Sequence, residues 1–142
     1  MGNSLEFIEK VVFKKAGKWI LEEDGKIKPD LDKNQKNQEK VLYSFVVDGA
    51  VMYTGKSVRA LNDRIMNYRN CIGEKQYTER RINHKIIETI KNGKDVLVYV
   101  LLNNNVNREE KEILSILNFT AGLEDGIIEK LQPEWNEQGV SK

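Results

Sequence analysis

The chain has 142 residues, 39% hydrophobic and 32% charged, which suits one folded domain with a single modest core. One cysteine, Cys71, rules out an internal disulfide, and with a single histidine, His84, a zinc site has too few ligands. No apolar run approaches the roughly 20 residues of a membrane span and the N-terminus lacks a signal-peptide core, so the expectation is a cytoplasmic protein with no membrane contact.

The net charge of +1 conceals a segregation along the chain. Residues 56–95 hold 10 Lys/Arg against 5 Asp/Glu, whereas residues 96–142 hold 4 against 8. A basic middle beside an acidic C-terminal part suits a polyanion site with a carboxylate metal ligand. Solvated helix faces would segregate charge in the same way.

In chain order, "SLEFIEKVVFKK" is compatible with either helix or strand. "KWILEEDGKIK" predicts a hairpin turning at Asp24-Gly25, because Asp-Gly accepts the positive φ angles of a tight turn. "KPDLDKNQKNQEK", from Lys28 to Lys40, contains Pro29 and almost nothing apolar after Leu31. It reads as a loop that separates an N-terminal extension, residues 1–40, from the body, residues 41–142.

The body opens with "VLYSFVV", turns at Asp48-Gly49 and returns through "AVMYT", an antiparallel hairpin from Val41 to Thr54. Leu61, Ile65 and Tyr68 recur at helical spacing over roughly Val58–Asn70, and Ile82, Ile86 and Ile90 mark a second helix stopped by Gly93. "DVLVYVLL" is nearly all apolar and predicts a central strand covered on both faces. Asn107 and Glu110 form a capping box for a further helix, and "LEDGIIEKL" is a last helical piece before Pro133. The expected fold class is α/β, a small three-stranded antiparallel sheet flanked by helices.

The Gly55-Lys56-Ser57 triplet invites a phosphate-loop reading, which needs a glycine five positions before the second glycine. That position holds Ala50, and Gly49 is used by the hairpin turn. The repeated β-α units of a nucleotide-binding sheet are missing as well.

The surrounding residues resemble the GIY-YIG nuclease superfamily. Its members carry a tyrosine on the first strand, Tyr-x-Gly on the second, a helical arginine, a Tyr or His one turn later, a distant glutamate and a closing Pro-x-x-Asn. Here these match Tyr43 in "VLYSF", "YTGKS" from Tyr53 to Ser57, Arg64 and Tyr68 in "LNDRIMNY", and Glu124 through Asn136 in "EDGIIEKLQPEWN". The likeness runs from Val41 to Asn136 in the same order. Its name-giving triplets differ, being Leu42-Tyr43-Ser44 and Tyr53-Thr54-Gly55. Within the superfamily the pattern is most like phage endonuclease II and the related type II restriction enzymes.

The resemblance implies a metal-dependent endonuclease acting on double-stranded DNA, of restriction or phage host-DNA-degrading type. It implies one divalent ion per site, Mg²⁺ with Mn²⁺ as a substitute, held by Glu124. Without it Glu110, Glu124 and Glu129 would be equivalent candidates. Catalytic roles fall on Tyr43, Tyr53, Lys56, Arg64, Tyr68 and Glu124, with Gly55 and Asn136 structural at the site. Arg64 and Tyr68 are i and i+4 on one helix face, and a guanidinium can hold a phosphate bidentately. In the family the first tyrosine is a favoured acceptor of the water's proton, which for a phenol of pKa about 10 requires neighbouring positive charge. Each residue also has an ordinary reading: cross-strand packing for Tyr43 and Tyr53, helix packing for Tyr68, a surface ion pair for Arg64.

Arg59, Arg69, Arg80, Arg81, His84 and Lys85 are candidate DNA contacts, positioning the duplex through phosphates without reading sequence. The N-terminal extension, the segment from Asn70 to Arg81 and the run Asn103–Asn105 are candidates for recognition, the first also for oligomerisation. Two strands cut by small chains with one site each imply a homodimer or homotetramer. An inactive DNA-binding module and a repair or mobile-element nuclease are the alternatives.

Overall fold

Two turns prescribed by sequence organise the sheet. Lys14–Leu21 (β1) and Ile27–Leu31 (β2) pair antiparallel around Gly25, whose φ is 86°. Val41–Val47 (β3) and Ala50–Ser57 (β4) pair around Asp48 and Gly49 at φ 51° and 79°, the double positive that matches a strand hairpin's twist. This is a computed structural model, in which residues 5, 6, 8, 13–71, 76–101 and 119–136 are described. The expected Asn107–Glu110 capping box and the Asn103–Asn105 run lie outside the described residues.

Leu97–Leu101 (β5) joins the hairpins, giving the order β2-β1-β5-β3-β4 with every neighbour antiparallel. Among the described residues the sheet therefore has five strands, not the expected three, and β1 and β2 of the first forty residues belong to it. Pro29, read from sequence as loop, lies in β2 opposite Trp19. Its missing N–H is tolerated there because β2 is an edge strand. Gly17 and a register shift between Lys15 and Gly17 break the simple alternation of β1.

β3 is buried at all seven positions because both faces of the sheet are covered. On one face the α-helix Leu61–Ile65 (α1), the 3-10 turn Met66–Tyr68 and the helix Tyr77–Lys91 (α2) pack on Trp19, Tyr43, Phe45, Tyr53, Val98 and Val100. On the other, Ile127 of the helix Phe119–Leu131 (α3) packs with Leu42, Val46, Val51, Tyr99 and Leu101. The expected helix over Val58–Asn70 is thus shorter, since Ala60 is extended at ψ 138° and the last turn tightens to 3-10. α2 ends as expected, with Gly93 at φ 86° donating its N–H to the Ile90 carbonyl at 2.9 Å.

After α3 the chain lies along the outer edge of β4. Trp135 N donates to the Met52 carbonyl at 2.7 Å, and the Asn136 amide both accepts from Thr54 N at 2.9 Å and donates to Thr54 O at 3.0 Å. Backbone groups that an edge strand would leave open are satisfied there. Among the described residues no helix is long and apolar enough to cross a membrane.

Candidate active site

Pleating puts Tyr43 and Gly55 directly opposite one another on β3 and β4, with Phe45 and Tyr53 as the next pair on the same face. Gly55 has no side chain, so the Tyr43 phenol lies across it: a Cβ there would stand 2.6 Å from the Tyr43 hydroxyl and 2.7 Å from its Cζ. Tyr68 reaches the same point from the 3-10 turn. Its hydroxyl is 2.6 Å from that of Tyr43 and donates to that of Tyr53 at 3.3 Å. Tyr68 has a single hydroxyl proton. Once that proton goes to Tyr53, the shorter bond must be donated by Tyr43.

Tyr43 and Tyr68 are completely enclosed and Tyr53 is 7% exposed. Burial raises the pKa of all three phenols, and their mutual repulsion as phenolates adds to it for Tyr43 and Tyr68. Arg64 pulls in the opposite direction and does not overcome it. The lowering of the Tyr43 pKa that a proton-accepting role would require is thus absent from the free protein.

The Arg64 guanidinium stacks over the Tyr68 ring at 5.1 Å and the Tyr43 ring at 5.9 Å, with one nitrogen, Nη1, 3.6 Å from the Glu79 carboxylate on α2. Burial opposes its charge, but Tyr43, Tyr68, Tyr53 and Glu79 together hold its pKa above the ordinary value. Lys56, leaving β4 beside Gly55, is half-exposed and its ammonium is 4.0 Å from Glu124 on α3. Burial raises the Glu124 pKa, Lys56 lowers it and Asp125 raises it again. Glu129, equivalent to Glu124 on sequence, is exposed. Glu110 lies outside the described residues.

The structure therefore brings Tyr43, Tyr53, Gly55, Arg64 and Tyr68 into contact, sets the Lys56–Glu124 pair within electrostatic reach of them, and uses Asn136 to hold Thr54, next to Gly55. The expected DNA contacts divide. Arg59 and His84 are exposed, and Arg80 and Lys85 are half-buried on α2. Arg69 bonds Glu22 at 2.5 Å and the Ile27 carbonyl at 2.9 Å, tying the 3-10 turn to the β1–β2 hairpin. Arg81 donates to the Trp135 carbonyl at 2.6 Å.

Two residues at the site carried no motif. Glu79 faces Arg64, and Asn83 donates to the Tyr68 carbonyl at 2.7 Å. Their spacing of four on α2, beside the buried Ile82 and Ile86, is the sequence signal that would have placed both on one inward face.

No protein-family model and no curated protein matches this chain. Solved structures do. A glutamate-to-alanine mutant of bacteriophage T4 EndoII is 20% identical with a TM-score of 0.66, over 95% of this chain and 99% of that one. Restriction endonuclease HPY188I, solved in complex with product DNA, is 22% identical with a TM-score of 0.50, over 68% of this chain and 59% of that one. The alignment thus spans about three fifths of the restriction enzyme's length. At such identities the likeness concerns the fold. Two paired-strand tyrosines, a helical arginine beside them and a glutamate from α3 sit on a fold like that of phage T4 endonuclease II, itself a GIY-YIG nuclease.

Proposed function

We propose that the chain is a divalent-metal-dependent endonuclease that hydrolyses phosphodiester bonds of double-stranded DNA, of restriction or phage host-DNA-degrading type. The observation that carries the reading is the convergence of Arg64 and the Lys56–Glu124 pair on a hydrogen-bonded set of three phenols. The product DNA bound to the restriction endonuclease of similar fold supports DNA as the partner. A homodimer or homotetramer would let two sites address the two strands.

The donor set fits Mg²⁺. Among the described residues there is no group of three or more His, Cys, Asp or Glu that could hold a metal. Magnesium keeps several waters and is commonly held by one or two carboxylates together with substrate phosphates, and Glu124, a carboxylate beside a lysine, offers that. When bound there, the ion supplies positive charge against the phosphate oxygens.

The chain's own groups do the rest. Arg64 takes a phosphate oxygen and balances the charge that grows as water adds to phosphorus. Lys56, the more exposed cation, meets another oxygen as a point charge. Because burial disfavours a free phenolate, the water's proton moves to Tyr43 as the Tyr43 proton passes to Tyr68 and the Tyr68 proton to Tyr53. Each oxygen keeps one proton because Tyr53, the least enclosed, releases its own outward in the same shift. Incubation with supercoiled plasmid tests the reading: nicks and linear product in Mg²⁺, none in EDTA, and none with Glu124→Ala although that variant still binds DNA. Binding by the wild-type protein without cleavage in Mg²⁺ would overturn it.

A further inference from the structure

We infer that Glu79 is a positioning residue that aims the Arg64 guanidinium from behind, fixing one of its nitrogens so that the others face the substrate. The inference rests on the nuclease reading for its rate measurements, and not for its spectroscopic one.

A guanidinium on a long side chain has several rotamers, and stacking over two rings leaves it free to turn in its own plane. Glu79 supplies what stacking lacks. Its carboxylate stands 3.6 Å from Nη1, and the two side chains are 20% and 22% exposed. Nη1 itself is buried and has no hydrogen-bond acceptor, so this contact is an ion pair that orients without saturating the donor. No other acceptor among the described residues is hydrogen-bonded to Arg64, which leaves its outward N–H groups for a phosphate.

Glu79 is in turn held. It lies in the first turn of α2, where a helix N-terminus favours negative charge. The same helix is anchored to the site at two further places, by Asn83 on the Tyr68 carbonyl and by Arg81 on the Trp135 carbonyl. α2 therefore fixes the carboxylate relative to the phenols that Arg64 covers. A counter-ion that merely neutralised Arg64 would compete with phosphate, and its removal would speed cleavage or tighten binding. A positioning residue acts in the opposite sense.

The test uses the full chain and supercoiled plasmid in Mg²⁺, with Glu79→Gln as the near-isosteric variant. Its kcat should fall by about 10- to 100-fold, as for misplacement of a catalytic group, with KM changed by about twofold or less. Glu79→Asp, which keeps the charge, should recover part of the loss. In an Arg64→Ala background Glu79→Gln should have almost no further effect, because the two act as one unit. Equal or faster turnover in Glu79→Gln, or the same loss with and without Arg64, would overturn the inference while leaving the nuclease reading intact.

A second measurement is independent of cleavage. Arg64 of the free wild-type protein should give separate, slowly exchanging guanidinium ¹⁵N–¹H signals, which Glu79→Gln averages. Averaged signals in the wild type would overturn the positioning role. Absence of wild-type cleavage would instead overturn the proposed function.

Discussion

Replacing Gly55 by alanine tests the central contact of the site with a single methyl group. The new Cβ would lie 2.6 Å from the Tyr43 hydroxyl, 2.7 Å from its Cζ and 3.1 Å from Tyr53 Cε2, so a ring must move. Tyr43 has no room to yield, being fully buried with its ring 5.5 Å from Phe45 and 6.3 Å from both Tyr53 and Tyr68. Overpacking of this kind costs about 1–3 kcal/mol. Pulling Tyr43 off the 2.6 Å bond to Tyr68 leaves a buried hydroxyl unpaired, for about another 1–3 kcal/mol. The sum, about 2–6 kcal/mol, corresponds to a melting temperature lower by roughly 5–20 °C for a chain of this size. Differential scanning calorimetry reads the stability and plasmid nicking the activity, both of which should fall. Tyr43→Phe removes the closest atom, so the double variant should be less destabilised than the sum of the two singles. A Gly55→Ala protein that melts and cuts like the wild type would refute the packing on which the site depends.

Tyr68→Phe should keep the ring contacts with Phe45 and Trp19 and lose both hydroxyl bonds, lowering stability by about 1–3 kcal/mol and cutting kcat more than KM; unchanged turnover would rule out the proton path through it. Glu124→Gln has a signed expectation. Burial first, then Asp125, raises the folded-state pKa despite Lys56, so the carboxyl favours folding below the ordinary glutamate range and loses that advantage as pH rises through the raised value. Measured by thermal melts without divalent metal, the variant should equal or exceed the wild type at pH 7, with the gap closing below about pH 4, while DNA cleavage is lost; a variant several degrees less stable at pH 7 would contradict the assignment.

How much the sequence disclosed follows from the range of each interaction. The β3–β4 hairpin was legible because "VLYSFVV", Asp48-Gly49 and "AVMYT" encode it locally, and β5 because a strand covered on both faces is apolar throughout. The β1–β2 turn at Gly25 was equally local. What was missed is that these two strands join the same sheet: Lys14, Lys15, Lys18 and Pro29 look unlike a sheet, yet the three lysines are exposed on β1 and Pro29 sits on the edge strand β2. At the site the order of Tyr43, Tyr53, Arg64, Tyr68 and Glu124 was readable, and their depth was not. Burial is a property of the whole fold, and it decides against a free phenolate where charge alone would have favoured one. Arg69 and Arg81 show the same limit. Sequence displays a cation, whereas the fold supplies Glu22 and the Ile27 carbonyl for one and the Trp135 carbonyl for the other.

The site combines two kinds of contact that answer differently to an arriving phosphate. The three phenols, Phe45 and Gly55 are interlocked and enclosed, so their geometry is set before substrate arrives. Around them, Lys56 and Glu124 stand 4.0 Å apart, and Arg64 and Glu79 3.6 Å, at ion-pair range but beyond hydrogen-bond length. Partly exposed pairs of that sort contribute about 0–1 kcal/mol, less than a bidentate phosphate contact can return. Lys56 can therefore turn to phosphate, and Arg64 can offer it the N–H groups that Glu79 leaves unsaturated, without unpacking the aromatic centre. The converse arrangement, with the cations in short bidentate bonds and the phenols loose, would have to break its strongest contacts before binding anything. A fixed aromatic floor beneath cations whose donors are not saturated lets the same residues stabilise the free fold and remain available for chemistry.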